Sequence, residues 1–419
     1  MVQKTVLYNG IRVLTERVPG AYSATIGLWV ECGSRHESFE QSGVSHFLEH
    51  MLFKGTVRRS APSIAREIDS VGGALNAFTS SEFSCYYAKV AGRHLPLAVD
   101  LLSDILLNSI MDLDELEKER RVILQEIHML EDSPEECIHE MFMRSFWQGH
   151  PLGKPIVGSV QTVQNLERRQ LLDYLERHYG GRNLIVCVAG DVEHEDLVDQ
   201  VAGLFSQHPA CFHNRISNPP DPHFAIETNH KDIEQVHFCL GLPAPDQRQD
   251  QRFAGNLLNT MLGGSMSSRL FQTLREERGM AYSVYSYLTS HSDAGALVVY
   301  AGTSSGEVQH AINIVLRELS RFQHHEPDPD ELRAAKELLK GRFMLSLEST
   351  DNRMTRLAKN EIYFGYVQSP DDIVRKLQKV TGADLLNLTK EYWNDDKLNL
   401  QLVGPISGEG FPSVDLTLG

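Results

Sequence analysis

The amino-acid sequence predicts an α+β protein built from two similar domains, and three observations carry that expectation. The chain has 419 residues, more than one hydrophobic core of ordinary size organises. A stretch rich in Pro and Asn, residues 206–224, interrupts it near the midpoint and reads as a linker, because those residues resist regular structure. The segments on either side repeat the same landmarks in the same order, as a duplication would. The expected division is a first domain over 1–205, the linker over 206–224 and a second domain over 225–419.

The elements follow in order. Thr5 to Leu14 reads as a hairpin around Asn9-Gly10. An extended run, Ala24 to Val30, has its counterpart in Gln235 to Leu240. A helix ending in Met51-Leu52 matches one ending in Met261-Leu262. Gly72 to Ser80 reads as a turn entering an edge strand. An acidic helix start at Asp114-Glu115 precedes a long amphipathic pattern, as does Asp330-Glu331. Each half closes on a Tyr and an alternating strand that ends in Gly, from Tyr179 to Gly190 and from Tyr392 to Gly404.

Composition removes several classes of function. Forty basic against fifty-six acidic residues leave a net charge of −16, which repels phosphate backbones and anionic membranes and suits either partners bearing basic residues or simply a solvated acidic surface. No nucleic-acid or membrane partner is expected. The densest apolar run, Leu184 to Ala189, is far too short to span a bilayer and suits a buried strand. The N-terminus lacks the charged-then-apolar layout of a signal peptide, so a cytoplasmic protein is expected. Cys32, Cys85, Cys137, Cys187, Cys211 and Cys239 are scattered without a CxxC pair, the pattern of reduced thiols and not of a disulfide framework.

The chemistry is concentrated in residues 46–50, His-Phe-Leu-Glu-His. Histidines four apart stack on one helical face, where both imidazoles reach a single ion. Glu49 stands beside His50, placed to hold a water without ligating the metal. Two histidines on a helix also occur as ordinary core residues. A second helical segment, Asp112 to Leu130, carries Glu119 and Glu126 two turns apart on one face. A His/His pair lacks the third ligand that catalytic zinc needs, although glutamates on a charged helix are commonly just solvated.

With Glu126 following His50 after 75 intervening residues, the sequence resembles the inverted-zincin metallopeptidases of the pitrilysin and insulin-degrading-enzyme family, in particular the processing-peptidase-like bacterial branch. The likeness runs over HFLEHMLFKGT (46–56), NAFTSSE (76–82), PLG (151–153) and LREERGMAYS (274–283). It implies a duplicated processing-peptidase (LuxS/metallopeptidase-like) fold, each domain a mainly antiparallel sheet packed with helices. It implies one zinc per chain on His46, His50 and Glu126, with Glu49 as general base and Glu119 as a supporting acid. Arg275 and Tyr282 match the family's substrate and transition-state contacts. Asn76, Ala77 and Phe78 fall on the strand that pairs with an extended peptide, and Phe53 walls the pocket after the cut bond. Glu82 is a candidate partner for a ligand histidine. Glu136 and Glu140 match carboxylates that hold an arginine two residues before the cut. The loop Leu262 to Ser268 is similar to a glycine-rich loop of the processing peptidase but poorer in glycine, which favours a simple turn.

The second half aligns Asn256, Asn259 and Thr260 with His46, Glu49 and His50, and offers Gly341 and Arg342 near the place of Glu126. It cannot rebuild the site. The expectation is a zinc endopeptidase for extended or unfolded peptides with basic residues near the cut, acting as a homodimer. Its rivals are a catalytically silent structural subunit and a peptide-binding module of the same fold.

Overall fold

A strand covered on both faces must be apolar or small along its whole length, and Ser23–Val30 and Leu184–Gly190 both fit that description. They lie at the centre of a six-stranded sheet in the computed structural model, which describes residues 1–211, 218–406 and 416–418. Strands β1 (Val2–Val6), β2 (Arg12–Arg17), β3 (Ser23–Val30), β4 (Ala74–Thr79), β5 (Ser84–Ala91) and β6 (Leu184–Gly190) are ordered β1-β2-β6-β3-β5-β4. The pairings are antiparallel except β2 with β6. The expected N-terminal hairpin is β1 and β2.

The second sheet contains β7 (Ala225–His230), β8 (Val236–Ala244), β9 (Ala281–Ser290), β10 (Gly295–Thr303) and β11 (Asn399–Gly404), ordered β7-β11-β8-β10-β9. Its parallel pair, β7 with β11, takes the place of β2 with β6. The two sheets therefore share one topology over five strands, and the duplication read from the sequence is a duplication of fold.

Helices α1 (Val44–Leu52), α2 (Ala61–Ser70), α3 (Leu95–Asn108), α4 (Leu113–Asp132), α5 (Pro134–Phe146), α6 (Val160–Asn165), α7 (Arg168–His178) and α8 (His194–Leu204) belong to the first half of the sequence. The second half adds α9 (Arg252–Leu262), α10 (Val308–His324), α11 (Pro329–Ser346), α12 (Thr350–Phe364), α13 (Pro370–Lys379) and α14 (Gly382–Tyr392). No helix among the described residues is long and apolar enough to cross a membrane. The cysteines are free thiols.

Two compact units result, and they do not follow the halves. The first comprises residues 1–129, 154–216 and 346–367; the second comprises 130–153, 217–345 and 368–419. Against the expected 1–205 and 225–419, α5 belongs to the second unit and α12 to the first. Packing explains the difference. In the first unit, α12 buries Met354, Leu357, Ala358 and Ile362 against Leu14, Trp29, Cys85, Ile185 and Cys187 of the sheet. In the second, α5 buries Ile138, Phe142 and Phe146 against Cys239, Ala296, Val298, Tyr300 and Val403. Part of the expected linker, residues 212–217, lies outside the described residues; residues 218–224 form no helix or strand.

Buried ion pairs fix α12 as well. Glu16 on β2 accepts from Arg353 and Arg356, and Glu361 binds Lys4 and Arg12. Removing one partner of such a pair strands the other charge in a desolvated place. Equivalent strands also carry equivalent clefts. A methyl at Gly27 on β3 would lie 2.5 Å from the Met354 sulfur, and one at Gly241 on β8 would lie 2.3 Å from Cζ of Phe142. Each glycine thus seats a side chain of the helix laid over its sheet.

Gly27→Ala and Gly241→Ala should each cost about 1–3 kcal/mol through overpacking. The cost should be larger at Gly241, because a phenyl ring cannot bend out of the way as a thioether can. Denaturant unfolding of both variants tests this; equal stability to the parent would refute it.

Candidate active site

Helix α1 carries His46, Glu49 and His50, and it forms where a polar N-terminal anchor meets an apolar stripe. Val44, Phe47, Leu48, Met51 and Leu52 are buried in the core of the first unit, which turns the remaining face toward α4. Gly43 precedes the helix at φ 95°, a left-handed conformation that favours glycine. Having no side chain, it leaves the first amide groups uncapped. The Glu37 carboxylate caps them instead, accepting from the Gly43 N–H at 2.8 Å and the Ser45 N–H at 2.9 Å. Burial pushes this carboxyl up to about 7, against the pull of those two amides.

Helix α4 buries Leu116, Ile123 and Ile127. Arg120 holds it, donating to the Leu166 carbonyl at 2.8 Å with its guanidinium over the Phe47 ring. With that face fixed, Glu119 and Glu126 meet α1. Glu126 Oε2 lies 3.7 Å from His46 Nε2 and 3.7 Å from His50 Nε2. Ligand atoms of His46, His50 and Glu126 all fall within 4.8 Å of one another, and this is the one such group of His, Cys, Asp and Glu among the described residues. A tetrahedral zinc with bonds of about 2.0–2.2 Å sets its ligand atoms roughly 3.3–3.6 Å apart, and the two Glu126 separations already lie close to that range. Glu126 Oε2 is buried without a hydrogen-bond partner among the described residues, which suits an atom kept for a cation. Burial, reinforced by His50, lowers His46 to about 4, leaving the neutral imidazole that a metal requires. The donor set fits zinc.

The surroundings differ between the two histidines. His50 Nδ1 lies 3.0 Å from Glu119 Oε2, while Lys54 Nζ lies 2.6 Å from Glu119 Oε1. This carboxylate orients the ring and leaves Nε2 toward Glu126. His46 Nδ1 is buried with no hydrogen-bond partner among the described residues. Glu49 is half-buried, and desolvation raises its pKa while hydrogen bonds from Thr79 oppose the shift. Its Oε2 has no hydrogen-bond partner among the described residues.

A pocket of about 260 Å³ opens beside these groups, lined by Glu49, His50, Phe53, Lys54, Leu75, Asn76, Ala77 and Glu119. Phe53 forms one wall, its ring 6.2 Å from that of Tyr86. Strand β4 bounds the sheet and pairs only with β5, so its outer edge has the unpaired backbone of an edge strand. Leu75 and Ala77 pack on the core that holds α1. Phe78 does not share that face. Its ring packs against Trp29 and Phe83 under α12, because successive strand residues point to opposite faces. Only its main chain is left for a ligand.

Other expected residues lie elsewhere. Glu82 is engaged by Arg35 at 2.9 Å and Tyr363 at 3.1 Å; Glu119 is the acid that bonds a ligand histidine. In the second unit, Arg275 lies in a π-helical turn, Phe271–Glu277, with its guanidinium over the rings of Phe271 and Tyr282. Tyr282 on β9 is 80% exposed. Glu136 and Glu140 are exposed on α5, one turn apart. Residues 262–268 begin as a turn ending α9, the Gly263 and Gly264 amides both donating to the Asn259 carbonyl. The positions matching the site are spent internally: Asn256 donates to Arg252 O, Thr260 to Asn256 O, and Asn259 Oδ1 accepts from Ser286. Sequence reading missed Lys54, Thr79 and Glu37. Lys54 stood inside a recognised motif, whereas no spacing rule ties Glu37 to α1.

Comparison with known proteins agrees with this geometry. Residues 12–160 match the family model described as insulinase, peptidase family M16, and residues 165–339 match the peptidase M16 inactive domain. The chain is 38% identical over 405 residues to the uncharacterized zinc protease YmxG of Bacillus subtilis, covering 97% of this chain and 98% of that one. An uncharacterized zinc protease of Streptomyces coelicolor is likewise 38% identical, over 414 residues, with coverage of 97% and 90%. Among solved structures, a protease from Helicobacter pylori superposes with a TM-score of 0.90 at 22% identity, covering 97% of this chain and 99% of the other. A structure from Pseudomonas fluorescens described as a peptidase M16 inactive domain gives 0.91 at 19% identity, with coverage of 97% and 98%.

Adding Zn²⁺ to metal-free protein should raise its thermal midpoint. A ligand at a hundredfold over its Kd stabilises by about 2.7 kcal/mol. His50→Ala and Glu126→Ala should abolish the increment. Calorimetry showing an undiminished zinc-dependent rise in either variant would remove that residue from the site.

Proposed function

The chain belongs to peptidase family M16, and on that footing we propose that it is a zinc metalloendopeptidase for extended or unfolded peptides. The observation that carries the reading is the convergence of His46, His50 and Glu126 beside a Glu49 oxygen that has no hydrogen-bond partner among the described residues. A silent scaffold has no need of such an arrangement. The location proposed is cytoplasmic, in keeping with the free thiols.

Bound zinc supplies a Lewis acid that polarises the scissile carbonyl and lowers the pKa of a coordinated water. The rest falls to the protein. Glu49 takes the proton of the attacking water and passes it to the leaving amine, work for which a carboxyl raised by desolvation is suited. Glu119 holds His50 in the tautomer that keeps Nε2 free. The outer edge of β4, through Asn76, Ala77 and the Phe78 backbone, pairs with the substrate as an added strand. Phe53 and Leu75 give the pocket its apolar walls.

By family resemblance, Arg275 and Tyr282 stabilise the developing oxyanion, and in a homodimer they serve the zinc site of the second copy. The exposure of Tyr282 and the stacking of Arg275 support that role. Glu136 and Glu140 are assigned to an arginine two residues before the cut, since paired carboxylates match a guanidinium better than an ammonium.

Glu49→Gln should keep zinc and lose several orders of magnitude in hydrolysis of a mixed peptide pool. Chelator should silence the parent. Mixing Glu49→Gln chains with Tyr282→Phe chains should restore turnover if the tyrosine acts on the partner. Normal turnover by zinc-loaded Glu49→Gln would overturn the assignment. For specificity, the Glu136→Gln, Glu140→Gln double variant should lose a preference for Arg at that position; identical cleavage profiles would show that the two carboxylates select nothing.

A further inference from the structure

The two ligand histidines are held in different ways. His50 is steered through its ring by Glu119, itself tied to Lys54. His46 has a buried Nδ1 that makes no hydrogen bond among the described residues. Its ring direction therefore depends on where the main chain of the first turn of α1 is placed. That turn has no cap of its own, because Gly43 lacks a side chain. The groups fixing it come from outside the helix: Glu37 grips the amides of Gly43 and Ser45, which precede His46 in the chain. Ser45 Oγ lies 2.9 Å from the buried Tyr174 hydroxyl, and Lys154 donates to the Glu37 carbonyl at 2.7 Å. Glycine at 43 and 158 lets the flanking loops close, since a methyl at either would strike the opposing backbone at 2.7 Å or less.

We propose that Glu37 is a positioning residue for zinc, acting on His46 through the backbone as Glu119 acts on His50 through the ring. It touches neither metal nor substrate. The role rests on the zinc-peptidase reading and extends it to a residue 5% exposed and nine positions before the first ligand. Two carboxylate oxygens accept from two amides. A carboxamide offers one acceptor and turns an N–H₂ toward the second amide, so Glu37→Gln keeps the volume and breaks half of the grip.

The test is competition for zinc at pH 8 between a chromogenic chelator and the full-length parent, Glu37→Gln, Glu37→Asp and, as a control, Glu16→Gln. Glu16 is equally buried and charge-paired but sits on the side of the sheet covered by α12. Disturbing an outer-sphere partner of a metal ligand costs about 10–100-fold in affinity. Glu37→Gln should lose zinc affinity by that factor, and Glu37→Asp should fall between it and the parent. Glu16→Gln should lower the thermal midpoint while leaving zinc affinity within twofold of the parent. Equal zinc affinity in Glu37→Gln and parent would overturn the proposal, as would an equal loss in Glu16→Gln, which would reveal general loosening. If Glu37→Gln does not fold, Glu37→Asp decides by the same comparison. A parent that binds no zinc would instead sink the peptidase reading itself.

Discussion

A nine-residue helix cannot hold its shape alone in water, yet α1 must present two imidazoles and a carboxylate to the same point. Its order comes from being packed: Phe47, Leu48, Met51 and Leu52 are locked in the first unit's core, and Arg120 on α4 stacks on Phe47. The fit of these two helices fixes the separation of Glu126 from His46 and His50. It also creates an electrostatic debt. Glu49, Glu119 and Glu126 crowd one pocket region, with Lys54 bonded to one of them. A divalent cation offsets that charge better than any rearrangement of side chains.

Much of this was legible in the sequence because helical periodicity is local. Histidines four apart must share a face, and Glu119 and Glu126 must share another. The doubling of the fold was legible from landmarks such as Met51-Leu52 and Met261-Leu262. What could not be read were relations between distant segments. Met354, Leu357 and Ile362 announce an apolar stripe, but nothing in their spacing says which sheet receives it. Strand alternation was available for Phe78, yet which face met α1 was not. Glu37 is more distant still from any rule, since a cap delivered by a preceding loop has no fixed offset.

The second unit repeats the fold without the His/His/Glu group. Its sheet repeats the strand order of the first, and α9 occupies the place of α1 in sequence. The side chains at the matching positions satisfy one another and their own helix: Thr260 bonds back to Asn256 O, and Ser286 takes up Asn259. A buried polar group without a ligand must find a partner or cost stability. These residues found partners. In the first unit, His46 Nδ1, Glu49 Oε2 and Glu126 Oε2 have none among the described residues.

The placement of α12 has a consequence for the order in which the protein can mature on the ribosome. The sheet face bearing Leu14, Trp29, Cys85, Ile185 and Cys187 is covered by a helix that is not translated until residues 350–364. For more than 150 codons after β6 is complete, the nascent first unit has no segment of its own to shield that apolar surface. A split at the midpoint therefore parts each sheet from one of its covering helices. A fragment ending near residue 205 leaves one face of its sheet bare, and one beginning near 225 lacks α5. Whatever duplication produced this chain, the exchange of helices turned two copies into a single unit of synthesis and of inheritance.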